Sequence, residues 1–214
     1  MNYFLEEGLV NKIVKDPGLG LVEAINAGFH EMPYFVTYGN WIGDDDILSE
    51  KSLIRAQSEL QRTQASFVFG HCRYIDVLGR TIGVNKAGRF ASRILGFGPD
   101  LIPQPGALFN LELFRELGGL DPKYKYAFDY DLFLRLKRGG VPACVKEVQA
   151  SFRWHPDSLS VKDRKKAVIE AYWVRQSVRG LTLRVLFFPI ECSVVLITYL
   201  AGLMLNHRTK QMNK

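Results

Sequence analysis

Apolar and polar residues follow two different rhythms along the first part of the chain, one helical and one extended. In residues 19–31 the apolar side chains recur every three or four positions, which predicts an amphipathic helix. Residues 33–42 carry no charge and are mostly apolar or aromatic, which predicts a buried strand. The same change of rhythm occurs again downstream, with a helix predicted over residues 47–62 and a strand over residues 65–76.

The pattern is less regular beyond the second predicted strand. Residues 81–106 are rich in glycine and proline and lack a clear period, so we expect a long irregular loop there. Short helices are predicted over residues 111–120, where a Gly-Gly pair stops the helix, and over residues 129–140. A final strand is predicted over residues 143–155, and the alternation of helices and strands predicts an α/β domain.

A long apolar segment follows this domain. Residues 185–205 contain one charged side chain, Glu191, and are about long enough to cross the ~30 Å hydrocarbon core of a bilayer. Pro189 and Glu191 fit a kinked or interfacial helix as well as a spanning one, and basic residues on both sides leave the orientation open. We expect membrane association, and the alternative is a C-terminal helix packed on the domain. The predicted organisation is an α/β domain (1–160), a basic helical junction (161–182) and a hydrophobic helix (183–206).

Composition narrows the possible classes of protein. The 214 residues are 47% hydrophobic and 23% charged, which excludes a disordered chain and supports one domain with an appendage. A net charge of +6 favours an anionic partner, such as a phosphorylated substrate, an acidic membrane surface or nucleic acid. Of these, we expect no nucleic-acid partner. The three cysteines are far apart and in no ligand-like spacing, so they predict neither disulfides nor a zinc site.

Three consecutive carboxylates, those of Asp44, Asp45 and Asp46, follow the first predicted strand. In an open α/β sheet the carboxyl ends of the strands are where ligands usually bind. Adjacent carboxylates repel one another unless a cation or a set of donors offsets their charge, and Mg²⁺ and Mn²⁺ prefer such oxygen ligands. The triplet therefore predicts a divalent-metal site. The alternative is that one aspartate caps a helix that begins near Ile47.

Three segments carry a resemblance to a known family. They read, in chain order, "DPGLGLVEAINAGFHEMPYFVTYGNWIGDDDIL", "IPQPGALFNLELFRELGGLDPKYKYAFDYDLFLRLKRGG" and "FRWHPDSLS". Together they resemble the nucleotide-sugar glycosyltransferases of family 2, which have the GT-A fold, over residues 16–160. The resemblance implies an α/β, GT-A-like partial sheet flanked by helices, with a C-terminal helical tail.

The resemblance also implies roles for individual residues. It places the metal that bridges the donor diphosphate at Asp44, Asp45 and Asp46, with His155 close to the metal or the diphosphate. It makes Asp129 the catalytic base, which would take the proton of the acceptor hydroxyl while the metal stabilises the departing nucleoside diphosphate. A helix N-cap is the alternative for Asp129, and a structural role is the alternative for His155 and for Asp131. The further candidate substrate-binding residues are Gln104, Pro105, Gly106, Asp131, Trp154 and Ser158, with Ser160 near the last of these.

The chain departs from the family pattern at its start. Members normally begin with a strand, a tight turn and a helix, followed by a strand that ends in acidic residues, and no such segment precedes the first predicted helix here. Three explanations are compatible with this: a truncated reading frame, a second polypeptide that supplies the missing N-terminal half, or loss of transfer activity.

These observations predict an inverting, metal-dependent glycosyltransferase that uses Mn²⁺ or Mg²⁺. It would move a sugar from a nucleotide-sugar donor to a lipid-linked or polysaccharide acceptor, in cell-envelope glycan synthesis at the cytoplasmic face of the membrane. The alternative is an inactive remnant that binds a partner or the membrane surface through its basic tail.

Overall fold

A computed structural model describes residues 2–86, 88–155 and 158–212. In chain order its helices are α1 (Asn2–Glu6), α2 (Leu21–His30), α3 (Ser52–Thr63), α4 (Arg89–Ile94), α5 (Leu111–Glu116), α6 (Phe128–Gly139), α7 (Leu159–Lys162), α8 (Arg164–Ser177) and α9 (Leu181–Met212). Its strands are β1 (Tyr38–Gly39), β2 (Ile47–Leu48), β3 (Phe67–Ile75), β4 (Thr81–Asn85), β5 (Leu108–Asn110) and β6 (Ala143–Arg153).

A mixed sheet forms the centre of the domain. Its strands lie in the order β1-β5-β3-β6-β2, and β4 pairs with β3 outside this path. β3 and β6 are parallel, with Val68 opposite Ala143 and Ile75 opposite Arg153, whereas the other pairs are antiparallel. Because parallel strands end at the same edge of a sheet, the residues that follow β3 and β6 meet on one side of the molecule.

The core lies on both faces of β3. Phe67 and Phe69 are buried in the larger apolar cluster, where the Phe67 ring stacks on Phe133 of α6 with 5.0 Å between the ring centroids. Val68 points to the opposite face and packs in a second cluster with Ala56 and Leu60 of α3. Burying side chains of this size stabilises the fold by about 1.5–3 kcal/mol each. Helices cover both faces of the strand, and this explains its nearly unbroken apolar sequence.

The predictions for residues 33–62 were partly wrong. The predicted strand over residues 33–42 is reduced to β1, because a turn in which Val36 N–H donates to the Pro33 carbonyl leaves Tyr34 93% exposed. The predicted helix begins at Ser52, and Ile47–Leu48 form β2 against β6. The aspartate triplet therefore precedes a strand, and none of its members caps a helix at Ile47.

The prediction of an irregular loop over residues 81–106 was also wrong in part. β4 forms a hairpin with β3, and α4 follows it. The turn is held by Asp76, whose Oδ1 accepts hydrogen bonds from the Leu78 and Arg80 N–H groups, and Gly79 supplies a positive φ of 81°. Pairing with β3 stabilises this strand, and a local hydrophobic period does not report such pairing.

The tail is one long helix that is mostly exposed. The span Leu181–Thr209 of α9 is long and apolar enough to cross a membrane, and only 17% of its most apolar stretch is buried. The described part of the helix nevertheless contacts the domain, since α9 packs against α8 and β4. The alternative of a helix packed on the domain is thus observed in part, and membrane association stays a prediction.

A buried ion triad fixes α9 to the domain. The Glu191 carboxylate of α9 accepts hydrogen bonds from Nε and Nη2 of Arg175, the latter at 2.8 Å, and lies 2.6 Å from Nη1 of Arg179. Arg179 in turn donates to the Gly96 carbonyl from Nε and Nη2. All three charged side chains are about 2% exposed. The one acidic residue in the apolar segment is therefore an internal contact of the protein.

Candidate active site

A cleft of about 790 Å³ opens at the edge of the sheet where β3 and β6 end. Its walls come from the acidic loop after β1, the loop before β5, the start of α6 and the residues that follow β6. Nine of the eleven candidate residues line it: Asp44, Asp45, Asp46, Gln104, Pro105, Asp129, Trp154, His155 and Ser158. The fold thus brings together residues that are more than one hundred positions apart in the sequence.

Arg153, the last residue of β6, fixes the acidic loop. Its backbone N–H donates to Oδ1 of Asp46 at 2.9 Å, and its Nε donates to the Asp45 carbonyl at 2.9 Å. Its Nη1 donates to the carbonyls of Asp76 and Val77, which follow β3. One arginine therefore holds the loop to the ends of both parallel strands.

The carboxylates of Asp45 and Asp46 are half-buried and close together, whereas Asp44 is exposed. A Cβ added to Gly43 would lie 2.9 Å from Oδ1 of Asp45 and 3.2 Å from Oδ2 of Asp46, so only glycine leaves both carboxylates in place. Burial and, to a smaller extent, the charge of Asp45 raise the pKa of Asp46 to about 6, although the hydrogen bond from the Arg153 N–H acts in the opposite direction. A cation beside these carboxylates would relieve their repulsion.

These residues fit a metal that is shared with a ligand. Among the described residues, no group of three or more His, Cys, Asp and Glu side chains is arranged to hold a metal by itself. Asp45 and Asp46 nevertheless offer two carboxylates, and His155 adds an imidazole whose Nε2 lies 2.8 Å from Oδ2 of Asp45. Mg²⁺ typically takes one or two carboxylates and completes its shell with water and substrate phosphates. The donor set therefore suits a cation that arrives with a diphosphate.

Asp129 lies in the first turn of α6 and faces the cleft. It is not the N-cap, which is Ala127, and the N–H groups of Tyr126 and Ala127 donate instead to Oε1 of Glu170 in α8. Burial raises the pKa of Asp129 to about 6, and the nearby charge of Glu170 adds to the rise. A carboxylate with a raised pKa is a stronger base than an exposed one, as proton abstraction requires.

Asp100 also lines this cleft, and the sequence did not single it out. Its Oδ1 accepts a hydrogen bond from the Ile102 N–H at 3.0 Å. Burial raises its pKa well above the usual range, and the charge of Asp129 raises it further. The sequence feature that could have identified Asp100 is its position as the one acidic residue in the segment "FGPDLIP", which is otherwise apolar. The cleft thus contains a pair of interacting carboxyl groups, Asp100 and Asp129.

The segment 104–106 shapes one wall. Nε2 of Gln104 donates to the Trp41 carbonyl at 2.7 Å, and Nδ2 of Asn40 donates to the Pro105 carbonyl at 3.1 Å. Gly106 does not line the cleft. A Cβ there would lie 2.6 Å from Cβ of Gln149, so this glycine permits close packing against β6. The segment is tied to the residues just before the acidic loop.

The remaining candidates differ in position. Asp131 lies outside the cleft lining and pairs with Arg135 at 2.8 Å, a contact within α6. Trp154 is buried, and its Nε1 donates to Oδ1 of Asn206 in α9 at 2.7 Å. Oγ of Ser158 donates to the Arg153 carbonyl at 3.3 Å. The side chain of Ser160 lies outside the described residues.

No protein-family model matches the sequence, and no curated protein matches it. Solved structures do resemble the fold. A structure of residues 1–349 of S. aureus TarS in complex with UDP-GlcNAc superposes with a TM-score of 0.51 and 10% identity, over 72% of this chain and 46% of that one. TarS 1–349 alone gives a TM-score of 0.48, 11% identity and coverage of 72% and 44%, and a TarS structure gives 0.49, 11%, 72% and 26%.

The likeness to the UDP-GlcNAc complex establishes the fold. TarS is a family 2 glycosyltransferase with the GT-A fold. The present chain spans less than half of the length of TarS 1–349. The GT-A-like α/β fold with a long C-terminal helix, predicted from the sequence motifs, is thereby confirmed.

Proposed function

We propose that the cleft binds a nucleotide sugar together with Mn²⁺ or Mg²⁺ and transfers the sugar, with inversion, to a lipid-linked or polysaccharide acceptor. One observation carries this proposal: the acidic loop, His155 and Asp129 converge on a single cleft in a GT-A-like fold. TarS was solved in complex with UDP-GlcNAc, which favours a uridine nucleotide as the first donor to test.

In this scheme, residues on one side of the cleft bind the cation and a residue on another side acts as the base. Asp45, Asp46 and His155 would hold the cation, which when bound stabilises the charge of the leaving diphosphate. Asp129, in its ionised form, takes the proton of the acceptor hydroxyl as that oxygen attacks the anomeric carbon and the bond to the diphosphate breaks. Burial, together with the charge of Glu170, raises the pKa of Asp129 to about 6, which makes its carboxylate a stronger base than an exposed one.

Calorimetry with UDP-GlcNAc tests donor binding. We expect affinity that requires Mn²⁺ and falls at least about tenfold in Asp46→Asn, because a metal contact would be lost. Glu50→Gln is the matched control, since that carboxylate has the same charge and is 89% exposed near the same loop. UDP-GlcNAc affinity that does not depend on Mn²⁺ and is unchanged in Asp46→Asn would refute the metal site.

Transfer is assayed with the chain alone and with the chain mixed with a polypeptide that carries the strand-turn-helix segment of the family pattern. Transfer in either case supports an enzyme. Nucleotide binding without transfer in both favours the second candidate, a module that binds nucleotide sugar but does not catalyse.

We also propose that α9 lies in the plane of the membrane surface at its cytoplasmic face. A helix that spanned the bilayer would take Glu191 with it, and with Glu191 the buried partners Arg175 and Arg179. An in-plane helix instead keeps this triad inside the protein and presents exposed apolar residues to the lipid, namely Leu183, Val185, Leu186, Phe188, Leu196, Ile197, Leu200, Leu203 and Met204.

Cysteines placed at the two ends of α9 distinguish these positions. Leu183→Cys and His207→Cys are each labelled with an impermeant maleimide in sealed vesicles. Labelling of both from the same side supports the in-plane helix, and protection of one end supports a spanning helix.

A further inference from the structure

A second cavity of about 360 Å³ continues from the cleft toward α9. The two cavities share five lining residues: Tyr74, Asp100, Tyr126, Asp129 and Trp154. Asp129 therefore faces the acidic loop on one side and the second cavity on the other. A molecule that entered from the α9 side could present a hydroxyl to Asp129 without crossing the metal-binding half of the cleft.

Arg164 is a half-buried cation of this second cavity. Its guanidinium lies over the Trp154 ring, with Cζ 5.3 Å from the ring centroid, and burial lowers its pKa. Its Nε is inaccessible to solvent and has no hydrogen-bond partner, and no described carboxylate forms an ion pair with it. The other arginine that lines the cavity, Arg175, is neutralised by Glu191. A half-buried guanidinium that has no ion-pair partner among the described residues favours an anionic ligand, and its planar donor fork suits phosphate.

The rest of the second cavity is largely apolar and reaches the surface of the tail. Ala167, Val168 and Ala171 line it from α8, and Ile197, Ala201 and Leu205 line it from α9. Ile197 both lines the cavity and is 61% exposed. A hydrocarbon chain bound here would leave the protein beside the exposed apolar face of α9, where the proposed membrane surface lies.

From these contacts we propose that the second cavity is the acceptor subsite and that the acceptor is a phosphorylated lipid. Arg164 binds its phosphate, its hydrocarbon chain passes between α8 and α9, and its hydroxyl-bearing group faces Asp129. This inference rests on the proposed function, because it selects the lipid-linked acceptor over the polysaccharide.

Gly202 offers a second way to perturb the subsite. A Cβ at this position would lie 1.2 Å from Nη1 of Arg164, so any side chain there displaces the guanidinium. Gly202→Leu thus blocks the cavity without removing a charge, whereas Arg164→Gln removes the charge and keeps most of the volume. Arg138→Gln is the matched control, because Arg138 is exposed on α6 and does not line either cavity.

The experiment measures binding of farnesyl phosphate to the full chain in detergent, with farnesol and inorganic phosphate as separate probes. We expect farnesyl phosphate to bind about tenfold or more tightly than either fragment, because only it fills both the charged and the apolar part of the site. Arg164→Gln and Gly202→Leu should each weaken it about tenfold or more, and Arg138→Gln should leave it unchanged. Circular dichroism of each variant reports whether it is folded.

Four outcomes would overturn the proposal. If farnesol binds as tightly as farnesyl phosphate, the cavity does not recognise the phosphate. If inorganic phosphate binds as tightly as farnesyl phosphate, the cavity does not recognise the hydrocarbon chain. Unchanged affinity in folded Arg164→Gln or Gly202→Leu would place the ligand elsewhere. Binding of phosphatidylglycerol bicelles with the same dependence on Arg164 would identify a membrane headgroup as the occupant.

UDP-GlcNAc affinity is measured on the same samples. We expect Arg164→Gln to leave it unchanged, since Arg164 does not line the donor half of the cleft. If the parent binds farnesyl phosphate but does not bind UDP-GlcNAc, the proposed function is refuted, whereas the lipid-phosphate site is still supported.

Discussion

Nε2 of His155 lies 2.8 Å from Oδ2 of Asp45, although 110 positions separate the two residues. The pair joins the end of β6 to the acidic loop and closes the metal-binding side of the cleft. If both side chains contact the cation, we expect His155→Asn to weaken Mn²⁺-dependent UDP-GlcNAc binding by about 10–100-fold in calorimetry. His30→Asn, which removes an 88% exposed imidazole, is the control. An unchanged affinity in His155→Asn would limit this histidine to a structural role.

Gly43→Ala tests whether the carboxylates need the space that glycine leaves. The new methyl group would meet Oδ1 of Asp45 at 2.9 Å, so the carboxylate must move away from its present position. We expect Mn²⁺-dependent nucleotide binding to fall at least about tenfold, with the fold intact. Gly28→Ala in α2 is the control, because nothing lies within 4 Å of its Cβ position and it should stabilise the helix by about 0.5–1 kcal/mol. Full binding by Gly43→Ala would contradict the proposed geometry.

Asp129→Asn tests the base. The amide keeps the shape of the side chain and cannot take a proton, so transfer should fall by about 10²–10⁴-fold while UDP-GlcNAc affinity stays within about twofold. The rate of the parent should fall as the pH drops through about 6, because protonation of Asp129 removes the base. Asp121→Asn, which alters a carboxylate outside the cleft, should change neither quantity. Transfer that survives Asp129→Asn would exclude Asp129 from the mechanism.

The carboxyl group of Asp129 should lower the free energy of unfolding at neutral pH. Its pKa is raised from the ordinary value to about 6 in the folded chain, by burial and by Glu170, and it faces Asp100, whose own pKa is raised. Folding therefore favours the protonated form of Asp129. Its contribution to the free energy of unfolding is present below about pH 4 and is lost as the pH rises through about 6.

Urea denaturation of Asp129→Asn measures this effect. The variant should be more stable than the parent at pH 7 by about 1–3 kcal/mol and equal to it at pH 4. A variant that is less stable than the parent at pH 7 would show that Asp129 makes a favourable contact as a carboxylate.

Glu191→Gln tests the attachment of the tail. Without this carboxylate, Arg175 and Arg179 become two uncompensated charges in a buried site, so we expect unfolding free energy to fall by about 3–5 kcal/mol. Glu50→Gln, an exposed carboxylate, should change stability by less than about 0.5 kcal/mol. A small loss in Glu191→Gln would mean that α9 is not docked on the domain in solution.

The sequence alone determined the elements that carry a clear local pattern of apolar residues. α2, α5, α6, β3 and β6 were predicted close to their observed bounds, because their apolar residues either recur at helical spacing or cluster in an extended segment. The motif order from the acidic loop to the residues after β6 also predicted the GT-A-like fold. The roles assigned to the acidic triplet, Asp129 and His155 remain predictions.

Only the tertiary structure decided which distant groups meet. β2 and β4 exist because β6 and β3 offer them hydrogen-bonding edges, and two to five residues carry no local period that would reveal this. Asp100 lines the cleft because a loop folds it toward Asp129, and Glu191 is an internal contact because two arginines surround it. The hydrophobic pattern reports that a face is buried. It carries no information about the partner, because burial is non-directional whereas ion pairs and strand edges require specific geometry.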